Sequence, residues 1–135
     1  MNEVNTIIIG AGRIGNSLAH ALGKKDDILV IDKDKEKIAR LTDFSGFVEV
    51  GDATDVSFLI QNGVDQAEKI VITTDDDNIN IFLADVCVNL FHREHVYIRL
   101  KDSRKVKLVD PIVRCICPFD LSLDSFQKEM EGGNQ

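Results

Sequence analysis

An α/β fold built on a doubly wound parallel sheet is predicted by three features of this 135-residue chain. Short apolar runs rich in β-branched residues recur along it, continuous rather than alternating, as in strands buried on both faces. Segments with helical spacing separate those runs and give the βαβαβ alternation of a parallel sheet. The first run, Thr6-Ile7-Ile8-Ile9, passes through Gly10-Ala11-Gly12-Arg13-Ile14-Gly15 straight into a helical pattern, and the second ends in Asp32, 22 positions after Gly10. A Gly-x-Gly-x-x-Gly alone is a weak signal. Between a strand and a helix, with an acid about 20 residues on, it is strong.

Taken in order, strands are expected at Val4–Ile9, Ile28–Ile31, Phe47–Val50, Lys69–Thr73, His95–Arg99 and roughly Val113–Cys117, about six in all. Ile14, Leu18, Ala21 and Leu22 mark a first helix, Ile38 and Leu41 a second, Phe58 and Leu59 a short third. Asp76–Phe91 is predicted as a fourth, with apolar residues on nearly every face. A helix covering a sheet needs only one apolar stripe, so its outer side is expected to be covered too, by a neighbouring subunit or by other elements of the chain. A last helix, about Leu121–Glu131, follows Phe119, Leu123, Phe126 and Met130 at i, i+4, i+7 and i+11. It would pack back locally or reach across to another protomer. The closing Gly-Gly-Asn-Gln reads as a flexible end.

Composition narrows the classes. Sixteen basic against twenty-three acidic residues leave a net charge of −7, which argues against nucleic acid or an anionic membrane surface as a partner. No apolar run approaches the about 18 residues of a membrane span, and no signal-peptide pattern opens the chain. Three cysteines suit a reducing compartment better than a disulfide framework. A cytoplasmic protein without direct membrane insertion is expected.

In such folds ligands lie at the carboxyl ends of the strands. Gly10 would permit the tight turn, Gly12 would clear space for a pyrophosphate, and Gly15 would let the helix lie close on the sheet. The first helix turn offers backbone N–H groups and its positive dipole end to phosphates. Asp32 can accept from an adenosine ribose and would repel a 2′-phosphate, favouring NAD over NADP; Lys33 and Lys35 could offset that repulsion. Asp52 has two readings, an acceptor for the adenine amino group or a turn acid before a helix capped by Thr54. Thr73, Thr74 and Arg99 follow the fourth and fifth strands. The run Asp75–Asp77 reads chiefly as helix capping, then as a ribose contact, and least as a cation site. His20, His92 and His95 show no spacing for acid–base or metal chemistry, and Cys115 and Cys117 read as core or strand residues.

The blocks GAGRIG, VIDKD, GDAT, VITTDDDNIN and YIRL, in this order, resemble the N-terminal nucleotide-binding lobe of the RCK/KTN family of potassium-transport regulators, including Trk-type subunits, over roughly Asn5 to Pro118. The resemblance implies a Rossmann-like domain at 1–118, a crossover helix and tail at 119–135, and a sensor rather than an enzyme. It implies NAD or NADH, or alternatively ATP, ADP or AMP, at the glycine loop. Gly10, Gly12, Ile14 and Gly15 would line the phosphates. Arg13 would approach them in its own subunit or from a neighbour. Asp32 with Lys33 would hold the ribose end, Asp52 and Ala53 the adenine edge, and Thr73, Thr74 and Arg99 the remainder. It also implies a homodimer or larger ring and a membrane-embedded potassium channel or transporter subunit as partner, with the chain at the inner membrane face. The family's C-terminal lobe has no counterpart here, so a fragment or a one-lobe protein is expected. Two other classes stay open: an NAD-dependent oxidoreductase fragment or accessory subunit, and a metal-sensing module on Asp52 and Asp75–Asp77.

Overall fold

The computed structural model describes residues 4–132; the end of the Gly-Gly-Asn-Gln segment, 133–135, lies outside them. Six parallel strands form one sheet in the order β3-β2-β1-β4-β5-β6. They are β1 (Thr6–Ile9), β2 (Ile28–Asp32), β3 (Phe47–Val50), β4 (Lys69–Ile72), β5 (Val96–Arg99) and β6 (Arg114–Ile116). The helices are α1 (Arg13–Leu22), α2 (Lys35–Ala39), α3 (Val56–Gln61), α4 (Asp77–Asp85) and α5 (Pro118–Gly132). The order reverses between β1 and β4, which places a crevice at their carboxyl ends.

Side chains alternate across the sheet and build a core on each face. Ile7, Ile9, Leu29, Ile31, Ile70 and Ile72 join Leu59 of α3 and Leu83 and Ala84 of α4. On the other face Ile8, Ile28 and Val30 meet Ala19, Leu18 and Leu22 of α1 and Ile38 of α2. Ile7, Ile8 and Ile31 are each at most 1% exposed. Truncating any of them to alanine costs about 2–5 kcal/mol.

Burial on both faces holds for β1 and for most of β2 only. All four residues of β3 are exposed, because it is the sheet edge and the short α2 covers it thinly. β4 and β5 alternate between buried and half-buried. The segment between β5 and β6 forms a 3-10 turn over Ser103–Leu108 rather than a full helix, leaving Arg114 and Ile116 exposed. Cys115 and Cys117 are half-buried against the main core.

The fourth helix also departs from expectation. It runs as α-helix to Asp85 and then widens into a π-turn over Val86–Leu90, closed by Phe91 N–H on the Val86 carbonyl. Its own chain buries Leu83, Ala84, Val86, Cys87 and Phe91, so among its apolar residues only Phe82 and Leu90 are exposed. Helix α5 starts at Pro118, ahead of the expected Leu121, since proline suits a first helical turn. None of its residues from Phe119 onward is buried.

His20 ties α1 to the loop after α2. Its Nδ1 lies 2.9 Å from the Asn16 carbonyl and its Nε2 lies 2.7 Å from the Thr42 carbonyl. A carbonyl only accepts, so both bonds form together only in the doubly protonated ring. The Thr42 carbonyl first, then that of Asn16, and in lesser measure the charge of Asp43 raise its pKa above the ordinary value. A raised folded pKa gives stabilisation that is complete below the unfolded value of about 6.5 and lost as pH rises through the folded one. Proton NMR titration should place His20 above the ordinary histidine value of about 6.5, and His20→Gln should flatten the pH dependence of unfolding just above that pH.

Candidate functional site

The glycine loop is stitched into the sheet from both sides. Gly10 N–H donates to the Ile31 carbonyl at 2.8 Å, and Thr73 N–H donates to the Ile9 carbonyl at 2.8 Å. The Thr73 hydroxyl donates to the Gly10 carbonyl at 3.1 Å. Gly10 has φ +107°, and a Cβ there would stand 2.8 Å from the Thr73 carbonyl carbon. A Cβ on Gly15 would fall 1.8 Å from the Gly10 carbonyl oxygen, so α1 rests directly on the loop. These two glycines serve the protein's own packing.

Gly12 differs. It has φ −71°, which any residue adopts, and a Cβ there would meet no protein atom within 4 Å. Gly12 is a wall residue of a crevice of about 210 Å3. Gly12 is also the N-cap of α1 and supplies no side-chain acceptor, whereas α2, α3 and α4 are capped by Asp34, Asp55 and Asp76. The opening amides of α1 therefore face the crevice without a carboxylate on them.

Asp32 braces this geometry from the end of β2. Its Oδ2 accepts from Ala11 N–H at 2.8 Å and its Oδ1 from Asp34 N–H at 2.8 Å. A carboxylate has about four acceptor positions, so capacity remains for a ribose diol. Asp52 Oδ1 accepts from both the amide (2.9 Å) and the hydroxyl (2.7 Å) of Thr54, which hold its pKa below the ordinary carboxylate value. Asp52 thus stays charged and is itself part of the crevice wall. The cap of α3 is Asp55, accepting from Ser57 and Phe58, and not Thr54.

The crevice gathers Gly10, Gly12, Arg13, Asp32, Lys33, Asp52, Ala53, Thr73, Thr74 and Arg99. Ile14 and Gly15 do not line it: Gly15 is buried under the loop, and Ile14 is half-buried outside the crevice wall. Lys35 is likewise not a wall residue, and Lys37 takes that place. Nothing in the local sequence marks Lys37, since Lys33 precedes the Asp34 cap and shares no helix face with Lys37. Gly51, Thr54, Asp75 and Ile79 complete the wall with the strand ends Ile9 and Ile31. Four cations, Arg13, Lys33, Lys37 and Arg99, therefore converge beside three acids in a chain whose net charge is −7.

Of the aspartate run, Asp76 caps α4 through Asn78 and Ile79. Asp77 is buried and accepts from Lys101 N–H at 2.8 Å and Asp102 N–H at 3.0 Å. Only Asp75 faces the crevice. Among the described residues no group of three His, Cys, Asp or Glu side chains is placed to hold a metal ion. No helix among them is long and apolar enough to cross a membrane.

Comparison with known proteins bears on the family and the fold. The family model of the TrkA-N domain matches residues 6–113. A Trk system potassium uptake protein TrkA from Streptomyces coelicolor is 32% identical over 107 residues, 78% of this chain and 48% of the relative. The chain spans about half the length of the first three curated relatives it matches. The GsuK channel bound to NAD superposes with a TM-score of 0.81 at 26% identity, over 99% of this chain and 24% of that one. GsuK bound to ADP gives 0.79 at 28% identity, over 95% of this chain and 34% of that one.

The glycine geometry separates packing from ligand space in a measurable way. Gly15→Ala should lower the unfolding free energy in urea by about 2 kcal/mol or more, because a backbone oxygen must move. Gly12→Ala should cost less than about 1 kcal/mol, the difference between glycine and alanine at an N-cap.

Proposed function

This chain belongs to the TrkA-N domain family, and from that premise we propose that it is a regulatory module that binds NAD, NADH or an adenine nucleotide and thereby controls a potassium channel or transporter. The observation that carries the reading is Gly12: its missing side chain leaves room that no protein atom uses, at the uncapped start of α1, among converging cations. A diphosphate matches that place in size and charge. Its neighbours support the rest of the pose. Asp32 takes the adenosine ribose with Lys33 and Lys37 beside it, Asp52 and Ala53 face the adenine edge, Arg13 meets the phosphates, and Thr73, Thr74 and Arg99 border the remainder. Ile14 and Gly15 contribute only by seating the helix. The charge of Asp32 disfavours a 2′-phosphate, so NADP binds more weakly than NAD.

The proposed role is sensing rather than turnover. Regulation then requires that the ligand bind two arrangements of the assembly with different affinity; equal affinity would shift nothing. The arrangement proposed is a homodimer or larger ring. Phe82 and Leu90 of α4 and the stripe of Phe119, Phe126 and Met130 on α5 supply apolar surface for it. Residues 1–118 form the nucleotide-binding unit and 119–135 the crossover segment. The partner is a membrane-embedded potassium channel or transporter, which holds the module at the cytoplasmic face.

A thermal-shift panel of NAD, NADH, NADP, ATP, ADP and AMP tests the ligand. A bound nucleotide at 100 times its Kd should add about 2.7 kcal/mol of stability. Gly12→Val should abolish the response while leaving ligand-free unfolding nearly unchanged, and a flat panel with the unaltered chain would refute the reading. Gel filtration tests the assembly: the chain should elute as a dimer or larger, and Phe82→Glu combined with Phe126→Glu should shift it toward a monomer.

A further inference from the structure

Asn80 is fully buried one turn into α4, at 0% exposure, yet is no wall of the crevice. A buried amide is stable only where its donors and acceptor are satisfied. Here Nδ2 donates to the Thr74 carbonyl at 3.1 Å and to the Arg99 carbonyl at 2.8 Å, while Oδ1 accepts from the Thr74 hydroxyl. One side chain thus fastens the end of β4 to the end of β5, and both residues it holds face the crevice. The Arg99 Nη2 donates to that same Thr74 carbonyl at 2.7 Å. The direction of the guanidinium is therefore set by an oxygen that Asn80 fixes. The Arg99 Nε is buried with no protein partner, so the group retains hydrogen-bonding capacity that the chain does not use.

The sheet order says which ligands feel this. Neighbouring strands lie about 4.8 Å apart, so β5 stands roughly 10 Å from β1 and its glycine loop. A nucleoside monophosphate with its ribose at Asp32 and its phosphate at α1 ends near the loop. A ligand that continues past the first phosphate comes under Thr74 and Arg99. We propose that Asn80 is the positioning residue for this far end, holding Thr74 and Arg99 so that nucleotides extending beyond the first phosphate bind more tightly than nucleoside monophosphates. The inference rests on the nucleotide reading of the crevice. No other side chain of this size offers two donors and an acceptor: leucine would leave the Arg99 carbonyl without this donor and take one bond each from the Thr74 carbonyl and hydroxyl, and aspartate would set a carboxylate against two carbonyl oxygens.

Isothermal titration of AMP, ADP and NAD into the unaltered chain, Asn80→Ala and Thr74→Val tests it. The unaltered chain should favour ADP and NAD over AMP. In Asn80→Ala that preference should fall about tenfold, equivalent to about 1.4 kcal/mol, with AMP affinity held within about twofold. Thr74→Val, which removes only the hydroxyl and keeps the β-branched shape, should move the ratio the same way by less, and it stands as the test if Asn80→Ala does not fold. A uniform loss for all three ligands, an unmoved ratio, or no initial preference for the longer ligands would overturn the positioning role while leaving nucleotide binding intact. Failure of the unaltered chain to bind any of the three would instead remove the nucleotide reading itself, and this role with it.

Discussion

The close approach of Gly10, Gly15 and Thr73 is the constraint on which the rest of the molecule depends. A helix that begins where a strand ends can lie on its sheet only if nothing intrudes at the crossing, and here a single added Cβ on Gly15 would fall 1.8 Å from a backbone oxygen. The hydrogen bonds from Gly10 to β2 and from Thr73 to β1 then hold the loop at the point where the strand order reverses. Rigid backbone is what fixes the amides of α1 in one direction. Their lack of a capping side chain becomes meaningful because they cannot turn away.

Beyond that clasp, the crevice is assembled by polar groups that serve two purposes at once. Asp32 braces the loop through Ala11 while keeping acceptor capacity, and Asp52 is held charged by Thr54 while standing in the wall. Asp77 and Asn80 sit behind the wall, Asp77 accepting from the Lys101 and Asp102 amides and Asn80 joining Thr74 to Arg99. The site is thus supported by buried hydrogen bonds on the α4 side and by close glycine packing on the α1 side.

Much of this was legible in the chain. The strands emerged within one or two residues because continuous β-branched runs leave little choice of period, and the glycine fingerprint located the crevice. What escaped detection depends on facts that no local pattern carries. Which strand lies at the edge follows from strand order, so the exposure of Phe47–Val50 was invisible. The π-turn over Val86–Leu90 is a local widening within an otherwise helical pattern. Ile14 and Gly15 belong to the motif yet do not line the crevice, since a helix shows only part of its circumference to a ligand. The role of Asp77 could not be separated from those of Asp75 and Asp76, because its partners Lys101 and Asp102 are distant in sequence.

Helix α5 carries a consequence of its own. A solitary helix of its 15 residues is only marginally stable in water, since nucleation is costly and propagation gains little. No residue from Phe119 onward is buried, and in the proposed dimer or ring the partner would supply the surface that orders it. The far-ultraviolet dichroism of this chain should therefore deepen as its concentration rises, so that helix content itself becomes a gauge of association.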